Sequence, residues 1–170
     1  MYFHKFSWND YFTATPVTTI GPGSYNSRQT PSDSNVYVIN CLFNSITSGG
    51  GGSAIYCTSN YLLVEFSSFF SCKISTRNYG GAIYFSNTNY GESVLHGVCG
   101  YDCNSAGSTD GQFSCVYVKN AASSKNYVNY SSISRCVNEN SGTYKIIRLD
   151  YGKICYQSTN VSMNKCYYRS

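Results

Sequence analysis

The stretch Gly80-Gly81-Ala82-Ile83-Tyr84-Phe85 decides the fold, because its last four residues recur along the chain. Ala54-Ile55-Tyr56-Cys57 matches it earlier, and two later segments follow in register, Cys115-Val116-Tyr117-Val118 and Ile146-Ile147-Arg148-Leu149. Glycines also precede the first copy, from Gly49 to Gly52. A glycine pair supplies a backbone bend that residues with a Cβ resist. The pattern predicts one short strand per repeat, entered through a bend.

A second recurring segment carries cysteine or serine. Its copies are Asn40–Ser45, Ser67–Cys72, Val98–Cys103, Ser131–Cys136 and Val161–Cys166. The last column reads Ser45, Cys72, Cys103, Cys136 and Cys166, with steps of 27, 31, 33 and 30 residues. Such a period is typical of solenoid proteins, in which equivalent residues of successive coils stack. We predict that the cysteines of this column point inward as free thiols, because a free thiol behaves as a small buried hydrophobe.

The residues before each of these segments alternate between apolar and polar, as a strand does. One column contains Tyr37, Val64, Leu95 and Val128, and the column beside it contains Glu65, His96 and Asn129. The repeats show no helical period, so the sequence predicts an all-β solenoid. A β-propeller would need longer units, of about 40–50 residues.

Residues 1–35 do not follow the repeat. Because the ends of a solenoid expose strand edges that need covering, we predict an N-terminal cap and loop over 1–35 and coils over 36–170. The aromatic stretch Met1–Phe12 is the candidate cover of the first rung.

Composition excludes several classes of protein. Lys and Arg number 12 against 8 Asp and Glu, a net charge of +4, which is too weak for a nucleic-acid partner. The apolar runs are too short to span a membrane, and the abundant aromatic residues argue against disorder. Polar residues interrupt Met1–Asp10, so we see no signal peptide and expect an intracellular or non-classically surface-associated protein.

The motif Gly80–Tyr84 and the periodic Cys and Asn residues resemble right-handed parallel β-helix proteins. More narrowly, Cys99–Cys103, Asn126–Cys136 and Val161–Cys166 are similar to the large β-helix (polymorphic-outer-membrane-protein-like) families of trichomonad protists. The resemblance covers roughly residues 36–166. It implies a right-handed parallel β-helix of about five coils with ~30-residue repeats, the pectin lyase-like fold, and an adhesin-like or surface-associated role.

The candidates for catalysis are Glu65 and His96, which share an outward column on successive coils and could act as an acid–base couple. The competing interpretation, which we favour, is an exposed contact between coils that contributes a fraction of a kcal/mol. Asp102 and Arg135 also share a column, which predicts a surface ion pair.

The spacing His96-x2-Cys99-x3-Cys103 has residue types that bind metals. The repeat explains both cysteines without a metal, because serine replaces them in neighbouring coils. We therefore expect no metal site and no cofactor.

The candidates for binding are Tyr56, Tyr84, Tyr117 and Arg148. We predict an inward ladder of Ile55, Ile83, Val116 and Ile147, so the residue after each of them should point outward on successive coils. Stacked tyrosines could simply stiffen the sheet, or they could form a flat aromatic platform for a sugar chain or a partner protein.

The sequence thus favours a non-enzymatic binding or structural module with a carbohydrate or protein ligand. One alternative is a carbohydrate-active enzyme. A glycoside hydrolase would need paired acidic residues, and a pectate-lyase-like polysaccharide lyase would need an Asp/Glu calcium cluster with a basic Arg or Lys. Another is a degenerate copy of the family without activity.

Overall fold

The computed structural model describes residues 7–107, 110–137 and 145–164. Within these ranges the chain is almost entirely β-structure. Its elements, in chain order, are α1 (Trp8–Tyr11), β1 (Thr18–Ile20), β2 (Gly23–Tyr25), β3 (Asn35–Ile39), β4 (Cys41–Asn44), β5 (Thr47–Ser48), β6 (Ile55–Cys57), β7 (Tyr61–Glu65), β8 (Ser68–Phe70), β9 (Lys73–Ile74), β10 (Ile83–Ser86), β11 (Glu92–His96), β12 (Cys99–Tyr101), β13 (Asn104–Ser105), β14 (Ser114–Tyr117), β15 (Lys125–Asn129), β16 (Ser132–Ser134), β17 (Ile147–Asp150), β18 (Lys153–Gln157) and β19 (Asn160–Ser162).

The strands form four sheets. Sheet 1 is β1-β3-β7-β11-β15-β18, sheet 2 is β2-β4-β8-β12-β16-β19, sheet 3 is β5-β9-β13 and sheet 4 is β6-β10-β14-β17. Paired strands run parallel and come from successive coils. One coil passes through sheets 1, 2, 3 and 4 in turn, so the predicted parallel β-helix is confirmed. Sheets 1 and 2 have six strands each in the described residues, one more than the five coils expected.

The extra coil lies within residues 1–35, for which the sequence predicts a cap and loop. Thr18 of β1 is opposite Val36, and Gly23 of β2 is opposite Cys41. Helix α1 packs against the outer face of sheet 1 rather than against the first rung.

Columns of apolar side chains fill the interior. In sheet 1 the inward column contains Val38, Val64, Leu95 and Val128, all buried. Tyr37 is opposite Leu63 instead, so its predicted place in this column was wrong by one residue. In sheet 2 the buried rings of Phe43 and Phe69 stack with centroids 4.8 Å apart, so aromatic side chains line the inward face of this sheet.

The inward column of sheet 4 contains Ile55, Ile83, Ser114 and Ile147. Val116 is buried but is opposite Phe85, so its predicted stacking on Ile83 was wrong by two residues. A shift of two residues leaves every side chain on its original face. The predicted faces were therefore right and the predicted neighbours of Val116 were not.

Residues with left-handed backbone conformation turn the chain between sheets. The corner from sheet 1 to sheet 2 contains Asn40, Phe66, Gly97, Tyr130 and Ser158, and the corner leaving sheet 2 contains Ser45, Ser71, Asp102, Arg135 and Met163. Their φ angles lie between 45° and 62°. Most are not glycine, so stacking between coils outweighs the local cost of this conformation.

The residue after each corner explains the Cys/Ser pattern. Its side chain accepts a hydrogen bond from the backbone N–H of the equivalent residue one coil earlier, as Ser67 Oγ does from Cys41 at 3.1 Å. Cys136 Sγ accepts in the same way from Cys103 at 3.4 Å. Asn164 occupies this position in the last coil, and Cys166, predicted to occupy it, lies outside the described residues. The eight cysteines in the described ranges are all free thiols.

Candidate functional site

Glu65 on β7 and His96 on β11 lie opposite each other, as the alternating pattern of the sequence predicts. The favoured interpretation, an exposed contact, is wrong because their relative exposures are 0% and 3%. The outer face of sheet 1 is covered by α1 and the residue that follows it, since Trp8 of the helix and Phe12 after it pack on Leu63 and Val94. The two candidate catalytic side chains therefore lie beneath the N-terminal helix.

Two tyrosine hydroxyls contact this pair, that of Tyr11 from helix α1 and that of Tyr37 from the neighbouring strand β3. Tyr11 Oη lies 2.7 Å from His96 Nδ1, and the Tyr37 hydroxyl donates to Glu65 Oε2. Burial raises the pKa of Tyr11 to about 12 and lowers the pKa of His96 below its ordinary value. Burial and the Glu65 carboxylate raise the pKa of Tyr37. All of these shifts favour the neutral forms, which suits a polar cluster that holds α1 in place.

The three residues of the His96-x2-Cys99-x3-Cys103 spacing lie in different surroundings. His96 lies under α1, Cys99 is exposed on β12, and Cys103 is buried after the following corner. The described residues contain no group of three His, Cys, Asp or Glu side chains able to hold a metal ion.

The predicted binding residues lie on the outer face of sheet 4. Tyr56 and Tyr84 stack with ring centroids 5.5 Å apart and planes inclined by 8°. Tyr117 does not continue this column, because Cys115 is opposite Tyr84. Its ring is tilted by 60° and its centroid lies 6.2 Å from that of Tyr84. The faces of Tyr56 and Tyr84 that touch are hidden, so mainly ring edges face outward.

Arg148 closes one end of this tyrosine ladder. Its guanidinium lies 5.1 Å from the ring centroid of Tyr117. It also pairs with Asp150 at 2.7 Å and with Asp110 at 3.3 Å. Hydrogen bonding to Asp150 raises the pKa of Arg148 further. The guanidinium of this predicted binding residue is therefore already paired with two carboxylates of the same chain.

A second aromatic feature, which was not predicted from the sequence, lies on the outer face of sheet 2. Phe70 and Tyr101 stack with centroids 5.4 Å apart and planes inclined by 1°, and they are 47% and 38% exposed. Beside them runs a column of small side chains, Ser68, Cys99 and Ser132. The signal was present, because Phe70 and Tyr101 occupy the same place in the aligned Cys/Ser segments.

Together these residues form the sheet 2 groove, defined by Leu42, Ser68, Phe70, Cys99, Tyr101 and Ser132. Its volume is about 450 Å³. Leu42 is 40% exposed at one end. At the other end the Arg135 guanidinium lies 5.8 Å from the ring centroid of Tyr101 and donates to its hydroxyl at 3.0 Å.

The ion pair predicted between Asp102 and Arg135 does not form. Asp102 pairs with Lys73 at 2.8 Å and accepts a hydrogen bond from the Ser71 hydroxyl at 2.9 Å. Arg135 instead lies over the ring of Tyr101. Both residues lie at corners, and each side chain contacts a residue of the preceding coil, Asp102 contacting Lys73 and Arg135 contacting Tyr101.

No helix in the described part of the chain is long and apolar enough to cross a membrane. Comparison of the chain with protein-family models, with curated proteins and with solved structures finds no match in any of the three.

Proposed function

We propose that this protein is a non-enzymatic binding module of the adhesin type, which holds an apolar segment of a partner protein in the sheet 2 groove. The observation that carries the proposal is the exposed stack of Phe70 and Tyr101 beside a column of small side chains. Exposed aromatic residues next to a concave apolar surface are typical of protein interfaces.

The geometry of the groove favours a protein over a sugar chain. A sugar ring packs against an open aromatic face, whereas Phe70 and Tyr101 cover one face of each other. Arg135 lies over the ring of Tyr101 as well. The small residues Ser68 and Ser132 leave space beside the rings into which an apolar side chain can insert. Paired strands fix the groove in advance, which lowers the entropy cost of binding.

The test compares two stacked pairs with nearly equal geometry. One variant replaces Phe70 and Tyr101 by serine in the groove, and the control replaces Tyr56 and Tyr84 by serine on sheet 4. The probes are peptides selected from a phage-displayed random library on the wild-type protein, followed by a glycan array. We expect selected peptides rich in apolar residues, whose affinity falls at least tenfold in the groove variant and less than threefold in the control.

Circular dichroism and thermal unfolding of both variants test whether each remains folded. Equal peptide binding by the two variants, or a selection that yields no peptide family, would overturn the proposal. Retention of glycans that depends on Tyr56 and Tyr84 would instead support the platform on sheet 4.

A further inference from the structure

Arg28 closes the end of the tyrosine ladder opposite to Arg148. Its guanidinium lies 4.8 Å from the ring centroid of Tyr56. Nε donates to the carbonyl of Gly52 at 2.9 Å, and Nη2 donates to the carbonyl of Gly51. A Cβ at Gly50 would lie 3.0 Å from Nη1, so the glycine run lets the guanidinium lie directly against the backbone. The side chain is therefore held in one orientation.

The two ladder arginines differ in their partners. Arg148 pairs with two carboxylates. The ion pairs between described residues do not include Arg28, and its Nη1 donates no hydrogen bond to a described residue. An arginine keeps its charge at physiological pH, so the Nη1 edge of this guanidinium carries N–H donors that no described residue accepts.

The surroundings of that edge are rich in donors. Arg28 lines a cavity of about 530 Å³ together with Thr30, Gly50, Asn78 and Tyr84, and none of the described residues that line it is acidic. The Oδ1 of Asn78 already accepts a hydrogen bond from the backbone of the next residue at 2.9 Å. Its Nδ2 makes no hydrogen bond with a described residue, so it can donate to a ligand.

We propose that the Arg28 pocket is a binding site for a carboxylate group. The guanidinium edge formed by Nη1 and the second N–H of Nη2 matches the two oxygens of a planar carboxylate, with Asn78 and the hydroxyl of Thr30 as further donors. The cavity volume lies within the range of small-ligand pockets. This site lies beside sheet 4 and is independent of the sheet 2 groove.

The experiment follows the Nε–H signals of Arg28 and Arg148 in the ¹⁵N-labelled full chain at constant ionic strength. The probes are acetate, glutarate, a hexaglutamate peptide, inorganic phosphate and sodium chloride. We expect a saturable shift of the Arg28 signal with the carboxylates and no saturable shift of the Arg148 signal, because its carboxylate partners are already in place. Binding of hexaglutamate at least tenfold tighter than glutarate would identify the source as an acidic peptide, and equal affinities would identify a small acid.

Variants give a second readout. Arg28→Lys keeps the charge but loses the planar edge, so we expect at least a tenfold loss of carboxylate affinity, whereas the control Arg148→Lys leaves that affinity unchanged. Three results would overturn the proposal: no saturable shift with any carboxylate, an equal shift with chloride, or saturation with phosphate alone. The wild-type titration decides the question even if a variant fails to fold.

Discussion

The backbone N–H of Cys72 donates a hydrogen bond to Sγ of Cys103, one coil further along the solenoid, at 3.4 Å. Cys103 Sγ in turn lies 3.4 Å from the carbonyl oxygen of Tyr101. At the other corner, Ser131 Oγ accepts from the N–H of Val98 at 3.1 Å. Thiol and hydroxyl therefore do the same structural work, which is to satisfy a buried N–H that follows a corner.

This relationship predicts how Cys103 can be replaced. In Cys103→Ser the hydroxyl still accepts from Cys72, so we expect a change within about 1 kcal/mol in the free energy of unfolding. Cys103→Val keeps the volume but leaves that N–H without a partner, so we expect a loss of about 1–3 kcal/mol. Urea unfolding measures both, with Cys99→Val as the exposed control. A valine variant as stable as the serine variant would contradict the role assigned to the thiol.

The same packing predicts the reactivity of the thiols. Burial raises the pKa of Cys103, and the hydrogen bond with Cys103 together with burial raises the pKa of Cys72. Because the thiolate is the reactive form, iodoacetamide should modify the exposed Cys99 in the folded protein and the two buried thiols only after unfolding. Mass spectrometry without reductant measures this order. Stoichiometric disulfides in the Cys72 column would show that the column is oxidised instead.

The sequence predicted the class of fold and the register of sheet 2 in the central coils, but not the register of the end coils or of β14 in sheet 4. Cys99 lies opposite both Ser68 and Ser132, as the alignment predicted. The first copy was aligned one residue off, because Asn40 takes the corner and Cys41 follows it. Such corners are hidden in the sequence, since stacked coils impose a left-handed conformation on residues that do not favour it.

The candidate site was predicted less well than the fold. The alternation placed Glu65 and His96 side by side, and they are. Their burial depends on how α1 docks against sheet 1, which is a tertiary contact that no repeat encodes. Arg28 was also missed, because it precedes the repeats in the sequence and meets Tyr56 only through the loop of the first coil.

The cluster beneath α1 predicts a dependence of stability on pH. Burial lowers the pKa of His96 below 6.5, so the unfolded chain takes up a proton that the folded chain resists. The free energy of unfolding should be fully retained above pH 6.5 and should fall as the pH falls below that value. We expect the free energy of unfolding of His96→Gln to fall less at low pH than that of the wild type, since glutamine does not titrate. Urea unfolding at pH 5.0 and 7.5 measures the difference, and an unchanged pH dependence in the variant would contradict it.

The glycines of the bends before β6 and β10 differ in what surrounds them. A Cβ on Gly81 would lie 1.9 Å from the carbonyl oxygen of Gln112, a backbone atom of the next coil. The nearest atom to a Cβ on Gly49 is 3.9 Å away, on Thr76. We expect Gly81→Ala to lower the free energy of unfolding by more than about 2 kcal/mol. The control Gly49→Ala should change it by no more than about 0.5 kcal/mol. Equal stabilities in thermal unfolding would mean that the coils are not packed as closely as described.

The tyrosine ladder of sheet 4 predicts coupling in stability. Because the rings of Tyr56 and Tyr84 stack nearly parallel, a double-mutant cycle with serine should give a coupling energy of about 0.5–1.5 kcal/mol. Tyr117 lies opposite Ser86 instead, so its coupling to Tyr84 should be smaller.

The triple Tyr→Ser variant of this ladder separates the two interpretations left open by the sequence. Because the stacked faces are hidden and Arg28 covers the remaining face of Tyr56, we expect lower stability and unchanged retention on a glycan array. If the ladder only stiffens the sheet, it contributes to stability through contacts between rings, and the variant removes those contacts. A folded triple variant that loses glycans retained by the wild type would show instead that the ring edges and hydroxyls form the platform, and the stacking energy would then be incidental to its role.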